Sequence, residues 1–551
     1  MVLIEPAFVL SVFSAAFKVL APVPGPQVLL GNTTIIGVDI PGSSQEFFGG
    51  IPFAEPPTGS LRFAPPVPRL SYGDLETLAA TAYGPSCVQP GSDLSQMSED
   101  CLTLNIYRPT GLASNSSLPV LVWIYGGSFF AGGTSPYNAS TLISQSINRG
   151  TPTIYASMNY RLGPLGFPQG DEAASRNALN LGLRDQWTAL EWVQSNIAAF
   201  GGDPGKVTVF GQSAGAISTA LHYLNDNFTS VARAAIMESG SGSTIPIFDS
   251  SRGQDAWLRF ASNVASCAAD SNSSATNTFP CLLSANTTEL FAGINAGIGV
   301  NQFPFPPVLD GAGGIVSELP SSTLSNGAGA RVPFITGTVL DEGTLFVPTS
   351  FSNETVLAEW FVANYTPSPL GPITLGVGAD ILLALYPDDP SQGSPFNTGN
   401  NTFGFQPTFK RAAAIFGDMS FQAQRRLWTR TAAVKGTKVY GYLFTDPQTM
   451  GAPAVGVAHG SDLGYVYGAV ATGTTGATSQ LSYSMMDYWL SFVDSLDPND
   501  GKGTPRTNWE SYADNQRILE LNSANITLIP DDFRALAIDE FLNNNSVLFS
   551  Q

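Results

Sequence analysis

The chain has 551 residues, of which 43% are hydrophobic and only 12% charged, and its formal net charge is -19. An acidic balance of that size repels phosphate backbones and anionic lipid surfaces, so nucleic acid is set aside as a partner. No stretch reaches the roughly 20 consecutive apolar residues of a membrane span, so stable membrane insertion is not expected either.

In chain order, the first feature is an apolar run from Ala7 to Phe17, followed by Ala21 and the proline-rich Pro22–Pro26. It has the length of a signal-peptide core, although Glu5 precedes it and Lys18, the nearby basic residue, follows it. Residues 1–21 are read as a signal peptide cleaved near Ala16 or Ala21, and 22–551 as one domain. Two other features favour export. The four cysteines fall at Cys87, Cys101, Cys267 and Cys281, where local pairing would close two short loops, although four cysteines allow three connectivities. About eleven Asn-x-Ser/Thr sequons, among them Asn32, Asn115, Asn227, Asn353 and Asn525, suit a glycosylated extracellular protein.

Continuous apolar runs then alternate with helical patterns. Strands are predicted at Pro119–Tyr125, Thr153–Asn159, Val207–Phe210, Ala234–Met237, Val332–Gly337 and Val439–Phe444. Helices are predicted at Leu181–Phe200, Ala214–Leu224, Ala412–Ala433 and Tyr483–Val493. This alternation predicts a doubly wound, mostly parallel α/β sheet flanked by helices. The stretches from Ser243 to Pro333 and from Phe351 to Gln406 lack clean periodicity and are read as insertions above the sheet.

Between the Val207–Phe210 strand and the Ala214 helix lies Gly211-Gln212-Ser213-Ala214-Gly215. A serine on a sharp strand-to-helix turn presents its hydroxyl, and glycines two residues away on each side avoid collisions across the turn. Ser213 is therefore the candidate nucleophile. A serine nucleophile needs a base, and the sequence holds two histidines. His222 lies nine residues further along the same helix, about 13 Å away at 1.5 Å per residue, and is read as structural. His459, in a glycine-bounded loop after a strand, is left as the base. The acid should lie between serine and histidine in sequence. Glu342 is best placed, with Asp341 and Asp310 as rivals that spacing does not eliminate. Gly126-Gly127-Ser128-Phe129, after the strand ending at Tyr125, is a candidate oxyanion turn that the Ala214 amide would complete. No Cys-x-x-Cys occurs and histidine is scarce, so neither metal nor cofactor is expected.

With these motifs stand Ile51-Pro-Phe-Ala-Glu-Pro-Pro57, Leu61-Arg62-Phe63, Glu99-Asp100-Cys101-Leu102, Asn159-Tyr160-Arg161, Phe200-Gly-Gly-Asp-Pro204, Asp341-Glu342-Gly343-Thr344 and His459-Gly460-Ser461-Asp462. Together they span most of the chain, which resembles the type-B carboxylesterase/lipase family, relatives of fungal lipases, sterol esterases and cholinesterases. The resemblance implies an α/β-hydrolase fold and a triad of Ser213, Glu342 and His459. It also implies oxyanion amides at Gly127, Ser128 and Ala214, local disulfides Cys87–Cys101 and Cys267–Cys281, and an Arg62–Glu99 ion pair. Three departures stand out. Gln212 replaces the glutamate often found before the nucleophile, and Ser128 replaces a glycine or alanine. The Cys87–Cys101 loop is much shorter than the one that forms a lid in large fungal lipases. The expected activity is hydrolysis of lipid-like carboxylic esters through an acyl-enzyme, with contact with lipid aggregates. Lipase, sterol-ester, carotenoid-ester and feruloyl-ester substrates all stay open. The alternative is a non-catalytic, adhesion-type relative, which would lose the triad; here all three positions are intact.

Overall fold

A computed structural model of the protein describes residues 25–543, apart from 74, 114, 269–276, 298–302, 366–370 and 448–451. The expected signal peptide lies outside the described residues.

An 11-stranded sheet organises the chain. In sequence order its strands are β1 (Val38–Ile40), β2 (Gln45–Pro52), β3 (Thr103–Pro109), β4 (Leu118–Ile124), β5 (Ile154–Met158), β6 (Gly202–Gln212), β7 (Ala234–Glu238), β8 (Phe334–Val339), β9 (Val439–Phe444), β10 (Arg517–Leu521) and β11 (Thr527–Pro530). In space they run β11-β10-β9-β8-β7-β6-β4-β5-β3-β2-β1. The strands from β5 across to β10 pair in parallel, whereas β1 to β3 and β11 join antiparallel. Every residue of β5, β7, β8 and β9 is buried, which is why these segments read as unbroken apolar runs. Because β5 and β6 lie on opposite sides of β4, the strand order reverses there. Chain leaving the carboxyl ends of β4 and β6 therefore parts around a crevice, the usual ligand position in such sheets.

The predicted strands are all present, with ends shifted by a few residues. The helix expected over Ala412–Ala433 is interrupted: α-helices Thr408–Gly417 and Ala423–Val434 flank a π-turn at Asp418–Gln422. Gln422 accepts from the Thr338 hydroxyl at 2.7 Å and donates to the Val339 carbonyl at 2.9 Å, tying that wide turn to the end of β8. The stretches without periodicity contain helices too, including Gln254–Ser262, Glu354–Tyr365 and Gly371–Leu385. Gly371–Leu385 (GPITLGVGADILLAL) is apolar almost all round, so no amphipathic period could announce it. Phe351, Leu357, Phe361, Leu382, Phe409 and Phe416 belong to a second apolar core formed around these helices. No described helix is long and apolar enough to cross a membrane.

The cysteines pair locally, Cys87 with Cys101 and Cys267 with Cys281, at Cα separations of 5.1 and 5.4 Å. Buried Arg62 links the first closed loop to the chain just past the second. Its guanidinium meets Glu99 through two hydrogen bonds of 2.6 and 3.0 Å, and it also donates to the carbonyls of Leu282, Leu283 and Ala285.

Candidate active site

Ser213 sits between the last residue of β6 and a helix over Ala214–Tyr223, with φ 57° and ψ -127°. A non-glycine residue held there stores strain of about 1–3 kcal/mol, which the surroundings must impose. They do so by close packing. A side chain on Gly211 would overlap the Gly215 carbonyl, and one on Gly215 would overlap the Ile124 carbonyl at the end of β4. The Ser213 amide donates to the Glu238 carbonyl at 2.9 Å, fixing the turn to the next strand.

The turn after β4 abuts the serine, since a Cβ on Gly126 would stand 2.8 Å from that of Ser213. Three successive residues there hold positive φ: Gly127 at 113°, Ser128 at 58° and Phe129 at 61°. The amides of Gly127, Ser128 and Ala214 find no acceptor among the described residues. Free N–H groups gathered beside a hydroxyl are the arrangement that stabilises a developing oxyanion. Gln89, inside the Cys87–Cys101 loop, bonds both backbone groups of Gly132 and braces this turn. Nothing in the sequence pattern marked that brace.

His459 and Glu342 come together from separate loops. The imidazole Nδ1 lies 2.6 Å from Glu342 Oε2, and Glu342 Oε1 accepts from the Val339 amide at 2.9 Å. With the buried carboxylate accepting, the imidazole proton belongs on Nδ1 and the lone pair on Nε2. The rivals of Glu342 are engaged elsewhere. Asp341 accepts from Ser394 Oγ (2.8 Å) and from the Phe396 (2.8 Å) and Val457 (2.9 Å) amides, anchoring the chain that carries His459. Burial raises its carboxyl pKa against the pull of those bonds. Asp310 caps a local turn through the Ile315 and Val316 amides. His222 is fully buried, bonds Gln186 at 2.8 Å, and is pushed by burial down to about 3.

Aromatic rings surround the imidazole. The centroids of Phe346 and Phe421 each lie 5.0 Å from the His459 ring, and Phe416 stacks on Phe346 at 5.4 Å. Phe416 precedes the π-turn and Phe421 lies within it, an interruption the hydrophobic pattern did not reveal.

Near the site lie two more carboxyl groups to which the sequence reading gave no role. Glu238 and Asp462 are fully buried. Trp489 Nε1 donates to Glu238 at 2.6 Å and the Tyr442 hydroxyl to Asp462 at 2.7 Å; the second oxygen of each has no hydrogen-bond partner. Burial, reinforced by the charge of Asp462, holds the Glu238 carboxyl well above the ordinary range. Burial also pushes Asp462 up to about 6, with the Tyr442 bond opposing and the charge of Glu342 adding. Glu238 stands one residue past the predicted strand Ala234–Met237, where no motif marks it.

The profile of the carboxylesterase family matches residues 25–547. The chain belongs to the carboxylesterase family. It is a carboxylic ester hydrolase, as the names of its relatives also indicate. Secreted lipase 1 of Botryotinia fuckeliana is 36% identical, covering 94% of this chain and 93% of that protein. Secreted triacylglycerol lipase LIP1 of Gibberella zeae is 34% identical, covering 92% and 88%. The crystal structure of Aspergillus niger EstA superposes with a TM-score of 0.81 at 26% identity, covering 95% of this chain and 99% of that one. The fold is thus the mixed, mostly parallel sheet of a carboxylesterase, the α/β-hydrolase fold expected from the sequence.

Proposed function

We propose that this carboxylesterase is exported and cleaves lipid-like esters through Ser213, His459 and Glu342. The observation that carries the reading is the 2.6 Å contact between His459 Nδ1 and Glu342, next to a strained serine turn. In the first half-reaction His459 Nε2 takes the Ser213 proton as Oγ attacks the ester carbonyl. The amides of Gly127, Ser128 and Ala214 hold the oxyanion, and the imidazolium returns its proton to the departing alcohol. Water then repeats the sequence on the acyl-enzyme, releasing the acid and regenerating the serine. Buried Glu342 stabilises the imidazolium and fixes its tautomer.

A preference for sizeable apolar groups is supported by the Phe346–Phe416–Phe421 cluster beside the imidazole. A neighbouring cavity of about 230 Å³ has a mixed wall, with Phe248, Phe303 and Val308 beside Asp249, Arg252 and Arg259, and its Phe303 stacks on Phe346 with centroids 6.5 Å apart. Export is supported by the apolar N-terminal run, the two disulfides and the secreted relatives, and the mature chain is taken as one domain from residue 22. The test is a series of p-nitrophenyl esters of rising acyl length, with methyl ferulate and a sterol ester alongside and Ser213→Ala as the blank. Rates that rise toward medium or long acyl chains and vanish in Ser213→Ala are expected. Full activity in Ser213→Ala would overturn the assignment of the nucleophile.

A further inference from the structure

The atom of His459 that must accept the serine proton is already engaged. Gln212 Nε2 lies 3.1 Å from His459 Nε2, and the Gln212 side chain is enclosed at the end of β6. With Nδ1 donating to Glu342, Nε2 carries a lone pair, so the Gln212 amide is the donor. Among the described residues no hydrogen bond joins the Ser213 hydroxyl to His459. One imidazole lone pair accepts one strong hydrogen bond, so Gln212 and Ser213, adjacent in sequence, compete for the same site.

We propose that Gln212 is a positioning residue that docks the His459 imidazole in the free enzyme and yields Nε2 to the Ser213 hydroxyl when substrate fills the site. The inference rests on the triad assigned above. Its physical content is selectivity for protonation state. As placed, the amide N–H stabilises the neutral imidazole, whereas imidazolium, whose Nε2–H would face another donor, requires the amide to turn its oxygen inward. The glutamine therefore lets His459 remain a base at lower pH than it would without the amide. A glutamate there would do the reverse by accepting from imidazolium.

Among the described residues, the charged and titratable groups facing His459 are few. Glu342 comes from the turn after β8 and Asp462 from the histidine's own loop; beyond Asp462 lie Glu238 on β7 and Tyr442 on β9. The Phe346 and Phe421 faces carry no charge. All these groups persist when Gln212 alone is changed.

The sequence contains 2 histidines, so ¹³Cε1-histidine labelling gives two resonances. His222, pushed to about 3, stays neutral across the working range, leaving His459 as the resonance that titrates. Gln212→Met removes the donor at similar volume, and its His459 titration midpoint should rise by about 0.5–1 pH unit, the worth of one hydrogen bond. Gln212→Glu, isosteric and foldable where methionine is not, should raise it by more than about 1 unit. The acid limb of kcat/KM should move in step in both variants. Repeating the titrations in an Asp462→Asn background removes the neighbouring carboxyl pushed up to about 6, whose ionisation could mimic the shift. Midpoints within about 0.2 unit of wild type in both variants overturn the proposal. The triad reading fails separately, and only if Ser213→Ala remains active.

Discussion

Gln89 and Gly132 exchange two hydrogen bonds: the side-chain amide donates to the Gly132 carbonyl at 2.6 Å, and the Gly132 N–H donates to Gln89 Oε1 at 2.7 Å. One residue of a disulfide-closed loop thereby mimics a backbone pairing partner for the end of the candidate oxyanion turn. Gly127, Ser128 and Phe129 precede that end and hold positive φ, so the turn relaxes if it is released.

Gln89→Leu should accordingly lower kcat by about tenfold or more while KM moves little, because the misplaced amides matter most once charge reaches the carbonyl oxygen. Steady-state rates on p-nitrophenyl butyrate measure this. Wild-type kcat in the variant would mean that the turn holds itself.

Asp341→Ala should impair the enzyme without touching Glu342. It removes the acceptor for one hydroxyl and two backbone amides at a buried position, each orphaned donor costing about 1–3 kcal/mol. Both the urea midpoint and kcat are expected to fall, the latter because the chain leading to His459 loses its anchor at Val457. A stable variant with slow turnover would locate the effect in the histidine's placement; unchanged values of both would refute the anchoring role.

Asp462 makes stability depend on pH in an unusual direction. Its folded value of about 6 lies above the ordinary 3.8, so the native state binds this proton more tightly than the unfolded chain. The contribution is fully present below about pH 4 and is lost as pH rises through 6, of order 2–3 kcal/mol for such a shift. Asp462→Asn keeps an acceptor for the Tyr442 hydroxyl and cannot ionise. Relative to wild type, the variant should gain stability between pH 4 and pH 8, as measured by chemical denaturation at both. A difference that is flat with pH would show that Asp462 ionises normally.

The Cys87–Cys101 loop has a sequence separation of only 14 and is held by the Arg62–Glu99 pair, too little chain to form a swinging cover. Hydrolysis of an emulsifying triglyceride such as tributyrin should therefore rise smoothly through the solubility limit. An abrupt increase at that limit would point to a lid built from some other segment.

Where the chemistry depends on local backbone shape, the sequence was legible. Ser213 stands in a five-residue pattern whose glycines are required by the overlaps at Gly211 and Gly215, and the shortage of histidine left His459 as the candidate base. Strands β4 to β9 were visible because burial on both faces demands continuous apolar residues. Spacing alone left Glu342, Asp341 and Asp310 as candidates, because which carboxylate meets an imidazole depends on loop paths that converge only in three dimensions. The π-turn at Asp418–Gln422 was hidden for a related reason. One extra residue in a buried helix leaves its composition unchanged, yet the wide turn carries Phe421, which lies against the histidine. The Gln89 brace and the Glu238–Asp462 pair join residues far apart in the chain and carry no local signature.

Arg62 gives the two disulfides a common fate. Its guanidinium ties Glu99, inside one bridged loop, to carbonyls just past Cys281 that leave the other. Opening either bridge frees one end of a shared tether. Reduction should therefore make residues 88–100 and the segment after Cys281 sensitive to protease together, and redox damage at one bridge would be felt at its neighbour.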